Sequence, residues 1–199
     1  MGNDNNRIRV QAWLRQGIVL GSLTFILGVL VTLPSQTLMK RMGLEIAFPA
    51  LLGIILVGVV ADIVGVAVAV ADETPFHAMA AKKKKGARQA IRLVRNADRV
   101  ASVLNDIVGD IVGTVSGAAG AAIVLRLVAF SSISESVLGM LTVGGIAALT
   151  VGGKAAGKGL AIYRANEITF RVAQLLYSLE RLTGLTIVGD GQARKRRGR

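Results

Sequence analysis

The chain has 199 residues, 52% of them hydrophobic and 4% aromatic, with 24 glycines, a mean hydropathy of +0.57 and a net charge of +12. It has no cysteine, which excludes disulfides, thiolate chemistry and cysteine metal sites, and its single histidine, His77, excludes a histidine-based zinc centre. The positive charge flanks apolar runs, which points to an anionic membrane surface and away from nucleic acid.

Residues 1–16 are polar and then basic (Arg7, Arg9, Arg15), with Trp13 placed as an interfacial anchor. Gly17 to Leu33 is an uncharged run that exceeds a usual signal-peptide core, and LPSQTLMKR offers no small-x-small cleavage site, so an uncleaved first span is expected. After a connection over 34–45, Ile46 to Ala71 forms a second apolar run, interrupted only by Asp62, with Pro49 near its start. Composition then changes abruptly: 72–99 carries eight Lys/Arg and three acids. From Ala87 onward Ala90, Ile91, Val94 and Ala97 fall at helical spacing opposite Arg88, Arg92, Arg95 and Arg99, which predicts a belt helix in the membrane interface. The KKKK run (82–85) reads as a solvated face against lipid headgroups, and His77 as an interfacial polar residue.

Val100 to Leu125 is the third span, closed by Arg126, and Val137 to Gly153 the fourth, with Lys154 and Lys158 one turn apart at its end. Residues 161–187 are again amphipathic, with Ile168, Val172, Leu175, Leu176 and Leu179 on one side, and 188–199 is a basic tail expected to be disordered. The expected fold is therefore all-α: an integral membrane bundle of four transmembrane helices plus amphipathic juxtamembrane helices. Segments 1–16, 72–99 and 154–199 carry 3, 8 and 10 Lys/Arg, against 2 in 34–45 and none in 131–136, so the positive-inside rule puts both termini in the cytoplasm of a multi-pass inner-membrane protein.

The third span is the most informative stretch. Asp106 and Asp110 are four residues apart and share one helix face with Ser102 and Thr114, while Gly109, Gly113, Gly117 and Ala121 form a neighbouring stripe that lets helix backbones approach. The Gly pairs 144–145 and 152–153 read as close packing as well. A carboxylate near the bilayer centre costs about 2.5–3.5 kcal/mol on insertion scales, so these acids are expected to face the bundle interior. Counted from the cytoplasmic ends of their spans, Asp62 and Asp110 each lie roughly 15 Å deep. The motif DIVG at Asp62, Asp106 and Asp110 is the one self-similar feature. Asp62, Asp106 and Asp110 with Asn105, Ser102, Thr114 and Ser116 form an oxygen-only set suited to a hard cation, Mg²⁺ or else Na⁺ or H⁺. The competing reading pairs the acids with Lys154 or Lys158 as structural bridges.

From about residue 46 to 187 the chain resembles the membrane domain of the CNNM/CorC magnesium transporters. ADET (71–74), KGARQAIRLVRNADRVASVL (85–104), GTVSGA (113–118) and VGGKAAGKGLAIYRANEIT (151–169) carry the likeness. The resemblance implies a homodimer that holds Mg²⁺ in an acidic cavity facing the cytoplasm and exports it with coupling to Na⁺. Glu73 matches the acid after the first family helix and Lys158 the lysine of the G-E-x-x-P-K segment, whose glutamate and proline positions hold Lys154 and Gly157. The span at 17–33 is extra, and without the family's CBS pair no nucleotide control is expected.

Two functions follow. The first is a cation transporter with Asp62, Asp106, Asp110, Asn105 and Ser116 as ligands and Glu73 with Asp72 drawing ions to the mouth. The second is a non-transporting scaffold with Asp–Lys pairs, whose basic belt binds anionic lipid headgroups. No nucleophile–base pair or strand-to-helix phosphate loop is legible, so an enzyme is not expected.

Overall fold

A computed structural model describes residues 43–189 together with 14, 17–19, 21–33 and 37. The basic N-terminal segment with Trp13, most of the 34–45 connection and the tail from 190 onward lie outside the described residues.

The described residues are helical throughout, with no strand among them. In chain order the helices from residue 44 are α1 (Leu44–Val70), α2 (Thr74–Ala81), α3 (Ala87–Arg95), α4 (Ala97–Ala101), a π-helical segment (Ser102–Val108), α5 (Gly109–Val128), α6 (Glu135–Tyr163) and α7 (Ala165–Thr183). Three stretches are long and apolar enough to cross a membrane: Leu44–Val70, Ala97–Val128 and Glu135–Tyr163. This is the anatomy of a helical membrane protein. Residues 17–19 and 21–33 are helical as well, in a shorter apolar run.

The chain forms two compact units, one from Met1–Ile54 and Asp110–Ile146, the other from Ile55–Gly109 and Ala147–Arg199. In the first, α5 buries Val112, Val115, Ser116, Ala119, Gly120, Ile123 and Val124. Gly120 seats the side chain of Ile146, with Thr142 beside it, where a Cβ has no room. Gly113 and Gly117 have open space around them, so the contact face of α5 lies to one side of the glycine stripe read from the sequence.

The second unit is built where α1 ends. Asp72 stops the helix: its Oδ1 accepts from the Thr74 amide (3.0 Å) and hydroxyl (2.9 Å), and its own amide donates to Asn166 Oδ1 at 2.9 Å. That last bond ties the end of α1 to the start of α7. Pro75 sits in the first turn of α2, where no amide is required. Phe76 is fully buried and stacks on Phe170 with ring centroids 6.4 Å apart, and Val68, Ala90, Leu93 and Ala173 complete the core. Burying a side chain of this size is worth about 1.5–3 kcal/mol.

The turn between α2 and α3 uses positive φ at Lys83 (55°) and Gly86 (87°). A Cβ on Gly86 would lie 3.0 Å from Gln174 Cα, so only glycine lets the start of α3 touch the α7 backbone.

Two buried faces and one helix boundary differ from the sequence reading. The apolar face of α3, expected to lie in lipid, is covered by protein: Ala90 and Leu93 are buried, and Ile91, Val94 and Ala97 pack against that core. On α7, Val172 and Leu176 of the expected apolar side do pack against the core, but the buried positions are the small Ala165, Thr169 and Ala173, and Leu175 and Leu179 are exposed. Finally, α6 does not stop at Gly153 but continues for ten residues, so Lys154 and Lys158 lie inside the helix.

Candidate functional site

The site is made by glycines on α6. Gly153 and Gly157 are one turn apart, and they receive Val59 and Ile63 of α1, themselves one turn apart. A Cβ on Gly153 would lie 2.9 Å from Val59 Cγ2, and one on Gly157 would lie 2.5 Å from Ile63 Cγ1. Any side chain at either position pushes the helices apart, which is the small-xxx-small logic of membrane helix pairs. Asp62 and Lys154 are the immediate neighbours of these contacts, and the close approach brings Lys154 Nζ to 3.5 Å from Asp62 Oδ1.

The pair is sheltered. Asp62 is 7% exposed, and the Lys154 side chain 27%. A third strand of polar groups comes from the π-helical segment, where Asn105 lies against α1. Its side-chain oxygen occupies the space a Cβ on Gly65 would need. Lys154 Nζ in turn lies 3.4 Å from the position of a Cβ on Gly109. Gly65 and Gly109 are the last residues of two DIVG motifs, so each motif places a glycine three residues after its aspartate and opens room for a polar side chain of a neighbouring helix. Asp62 Oδ2 and Asn105 Oδ1 are fully buried and have no hydrogen-bond partner among the described residues. π-helical turns are rare and concentrate at functional sites, and this one lacks any sequence signal.

The remaining candidates go elsewhere. Asp106 is exposed and accepts a hydrogen bond from Ser102 Oγ at 2.7 Å, the i,i+4 contact expected of that stripe. Asp110 and Ser116 belong to the other unit. There Thr114 Oγ1 donates to the Asp110 backbone carbonyl (2.9 Å) and the buried Ser116 donates to the Gly113 carbonyl (3.0 Å), so neither hydroxyl is directed at a carboxylate. Lys158 is exposed.

Glu73 is occupied by cations of its own chain: Arg95 Nε and His77 Nε2 each lie 2.7 Å from its Oε1. Burial works against its ionisation, but the hydrogen bonds of His77 and Arg95 and the Arg95 charge outweigh it, and the carboxyl is held below its usual range. Asp72 is lowered too, by the amide and hydroxyl of Thr74 against a small desolvation cost. Glu180 accepts from Gln89 Nε2 (2.9 Å) and lies 3.9 Å from Arg92. Two of the four arginines on the cationic face of the belt thus serve internal acids, while Arg88 and Arg99 are exposed.

Among the described residues no three His, Asp or Glu side chains gather as a metal ligand set. Of the residues expected to hold Mg²⁺, Asp106 is engaged by Ser102 and Glu73 by Arg95 and His77 within the second unit, while Asp110 and Ser116 belong to the first. The carboxylate of Asp62 does not suit a divalent ion, because an ammonium already stands 3.5 Å from it.

Fold and site together define a helical membrane protein with a sheltered acid–base pair between two candidate spans. No protein-family model matches the sequence, and no curated protein or solved structure matches it.

Proposed function

We propose that this chain is a non-transporting membrane scaffold in which a lysine of the protein takes the place of a bound cation. The observation that supports this reading is the Asp62–Lys154 pair. At about 4 Å and an effective dielectric of about 20, a divalent ion meets roughly 8 kcal/mol of repulsion from one ammonium. Residence of Mg²⁺ on Asp62 therefore requires Lys154 to leave or to lose its proton. In the CNNM/CorC likeness, Lys154 stands where that family carries a glutamate, which is the substitution an internal cation calls for. The scaffold has four spans, counting 17–33, with both termini on the cytoplasmic side of the inner membrane, and α2, α3 and α7 form its cytoplasmic cap.

A second reading, passage of a cation, draws on two of the three buried oxygens without a hydrogen-bond partner among the described residues, Asp62 Oδ2 and Asn105 Oδ1. One experiment separates the two. Purified protein is titrated with Mg²⁺ while its thermal midpoint is followed, and proteoliposomes loaded with a Mg²⁺ indicator are assayed for flux. The scaffold reading expects no saturable shift and no flux above protein-free vesicles. A saturable Mg²⁺-dependent rise that disappears in Asp62→Asn overturns it in favour of transport.

A further inference from the structure

The second unit holds a cavity of about 620 Å³, within the usual range of ligand pockets. Its walls are almost wholly apolar, including Val60 and Val64 of α1, Leu104 of the π-helical segment and Leu176 of α7. Its lining on α1 runs from Val57 to Val64, about 10 Å along the helix axis, within a candidate span. The rim is open: Val57, Val60, Val103 and Ile187 are each between 44% and 59% exposed. At one end stand its only strongly polar side chains, Asn96 and Arg99.

These two side chains differ. Asn96 is committed, since its Nδ2 donates to the carbonyls of Arg92 (2.8 Å) and Gly189 (3.0 Å). With the Ile187 amide on Glu180 Oε1 (3.1 Å), that bond pins the segment after α7 across the cavity. Arg99 is exposed and has no acidic partner among the described residues, unlike Arg92 and Arg95 on the same face. Arg99 also sits in the first turn of the Ala97–Val128 span, where long basic side chains reach the headgroup level.

From this juxtaposition we infer that the cavity is a binding site for one anionic phospholipid, with an acyl chain along Val60, Val64 and Leu104 and the phosphate on Arg99. Charge decides the occupant. A neutral chain alone leaves the guanidinium idle, and a second protein copy has to present an acid at the headgroup level. The proposal requires only that these helices lie in a bilayer, so it stands or falls separately from the Asp62–Lys154 reading.

The test is native mass spectrometry of the full chain in detergent with palmitoyl-oleoyl phosphatidylglycerol, or with phosphatidylcholine of the same chains. One phosphatidylglycerol per chain is expected to persist and phosphatidylcholine to be lost. Arg99→Gln is expected to weaken retention about ten- to a hundredfold, the weight of one charge-assisted hydrogen bond, and Arg88→Gln to leave it unchanged. Val103→Trp, at the exposed rim, is expected to block it. A phosphatidylglycerol carrying a photoreactive acyl chain is expected to label Val60, Leu104 or Leu176 in the unmodified protein, a readout that needs no variant to fold. Equal retention of the two lipids, unchanged retention in Arg99→Gln, or labelling confined to other helices overturns the proposal. A Val103→Trp variant that changes oligomeric state without losing lipid assigns the cavity to a copy–copy interface instead.

Discussion

Two acid–base contacts in the same unit are built in opposite ways. Asp62 has one partner, Lys154, at 3.5 Å, and is held there by Val59 and Ile63 fitting over Gly153 and Gly157. Glu73 has two partners at 2.7 Å in a half-exposed setting at the end of the first long span. Where water is near, charges choose partners among many and each contact is worth little; exposed pairs contribute about 0–1 kcal/mol. Inside a candidate span no alternative partner is at hand, and backbone packing does the choosing. The difference teaches that the glycines, more than the charges, determine which residues meet.

The largest expected effect therefore comes from removing one half of the sheltered pair. Lys154→Met, which leaves Asp62 alone, is expected to cost about 3–5 kcal/mol, measured as the unfolding free energy in lipid nanodiscs. A loss under about 1 kcal/mol would place the pair in the same category as Glu73 and erase the contrast. Next is the packing itself. Gly157→Val puts side-chain atoms onto Ile63 and is expected to cost about 1–3 kcal/mol by overpacking, with the Asp62–Lys154 contact lengthened. Gly159→Val, where nothing lies within 4 Å, is the matched substitution and should cause no loss of stability.

The smallest effect belongs to the outer contact and is read through pH. The folded-state pKa values of Glu73 and Asp72 are lowered, so their contribution is complete above the unfolded carboxylate range of about 4 and is lost as pH falls through the folded values. The thermal midpoint is expected to drop on acidification below about pH 4, and Glu73→Gln to flatten that drop while costing under about 1 kcal/mol at pH 7. An acid profile unaltered by Glu73→Gln would show that the His77 and Arg95 contacts contribute nothing to folding.

The same contrast explains what was legible in the sequence. The long apolar runs and the amphipathic belt followed from periodicity, and Leu44–Val70 and Ala97–Val128 lie within a few residues of the expected spans. Pairing of an acid with Lys154 was one of the two readings the sequence offered, and it is Asp62 that Lys154 meets; that α6 runs on past Gly153 did not follow. A lysine after an apolar run reads as a helix end, and only the presence of Asp62, 92 positions earlier, lets α6 carry it inward. The π-helical segment was hidden because Ser102, Asp106 and Asp110 keep a spacing that also suits an α-helix. On α7, hydrophobicity favoured Ile168, Val172, Leu175, Leu176 and Leu179 as the packed face, and Val172 and Leu176 do lie against the core while Leu175 and Leu179 are exposed. The positions buried deepest are instead Ala173, packed with Phe76, Ala90 and Leu93, and Thr169, since close packing rewards small side chains over large ones. Of the acids singled out, Asp62 is the one that meets Lys154, and which acid is chosen depends on helix pairing that no local window reports.

The most direct measurement is a double-mutant cycle on the pair, with unfolding free energies of Asp62→Asn, Lys154→Met and the double variant compared in the same nanodiscs. If Lys154 neutralises Asp62, the double variant loses less stability than either single one. If the two losses add to within about 0.3–0.5 kcal/mol, the residues do not compensate each other and the internal-cation account is wrong.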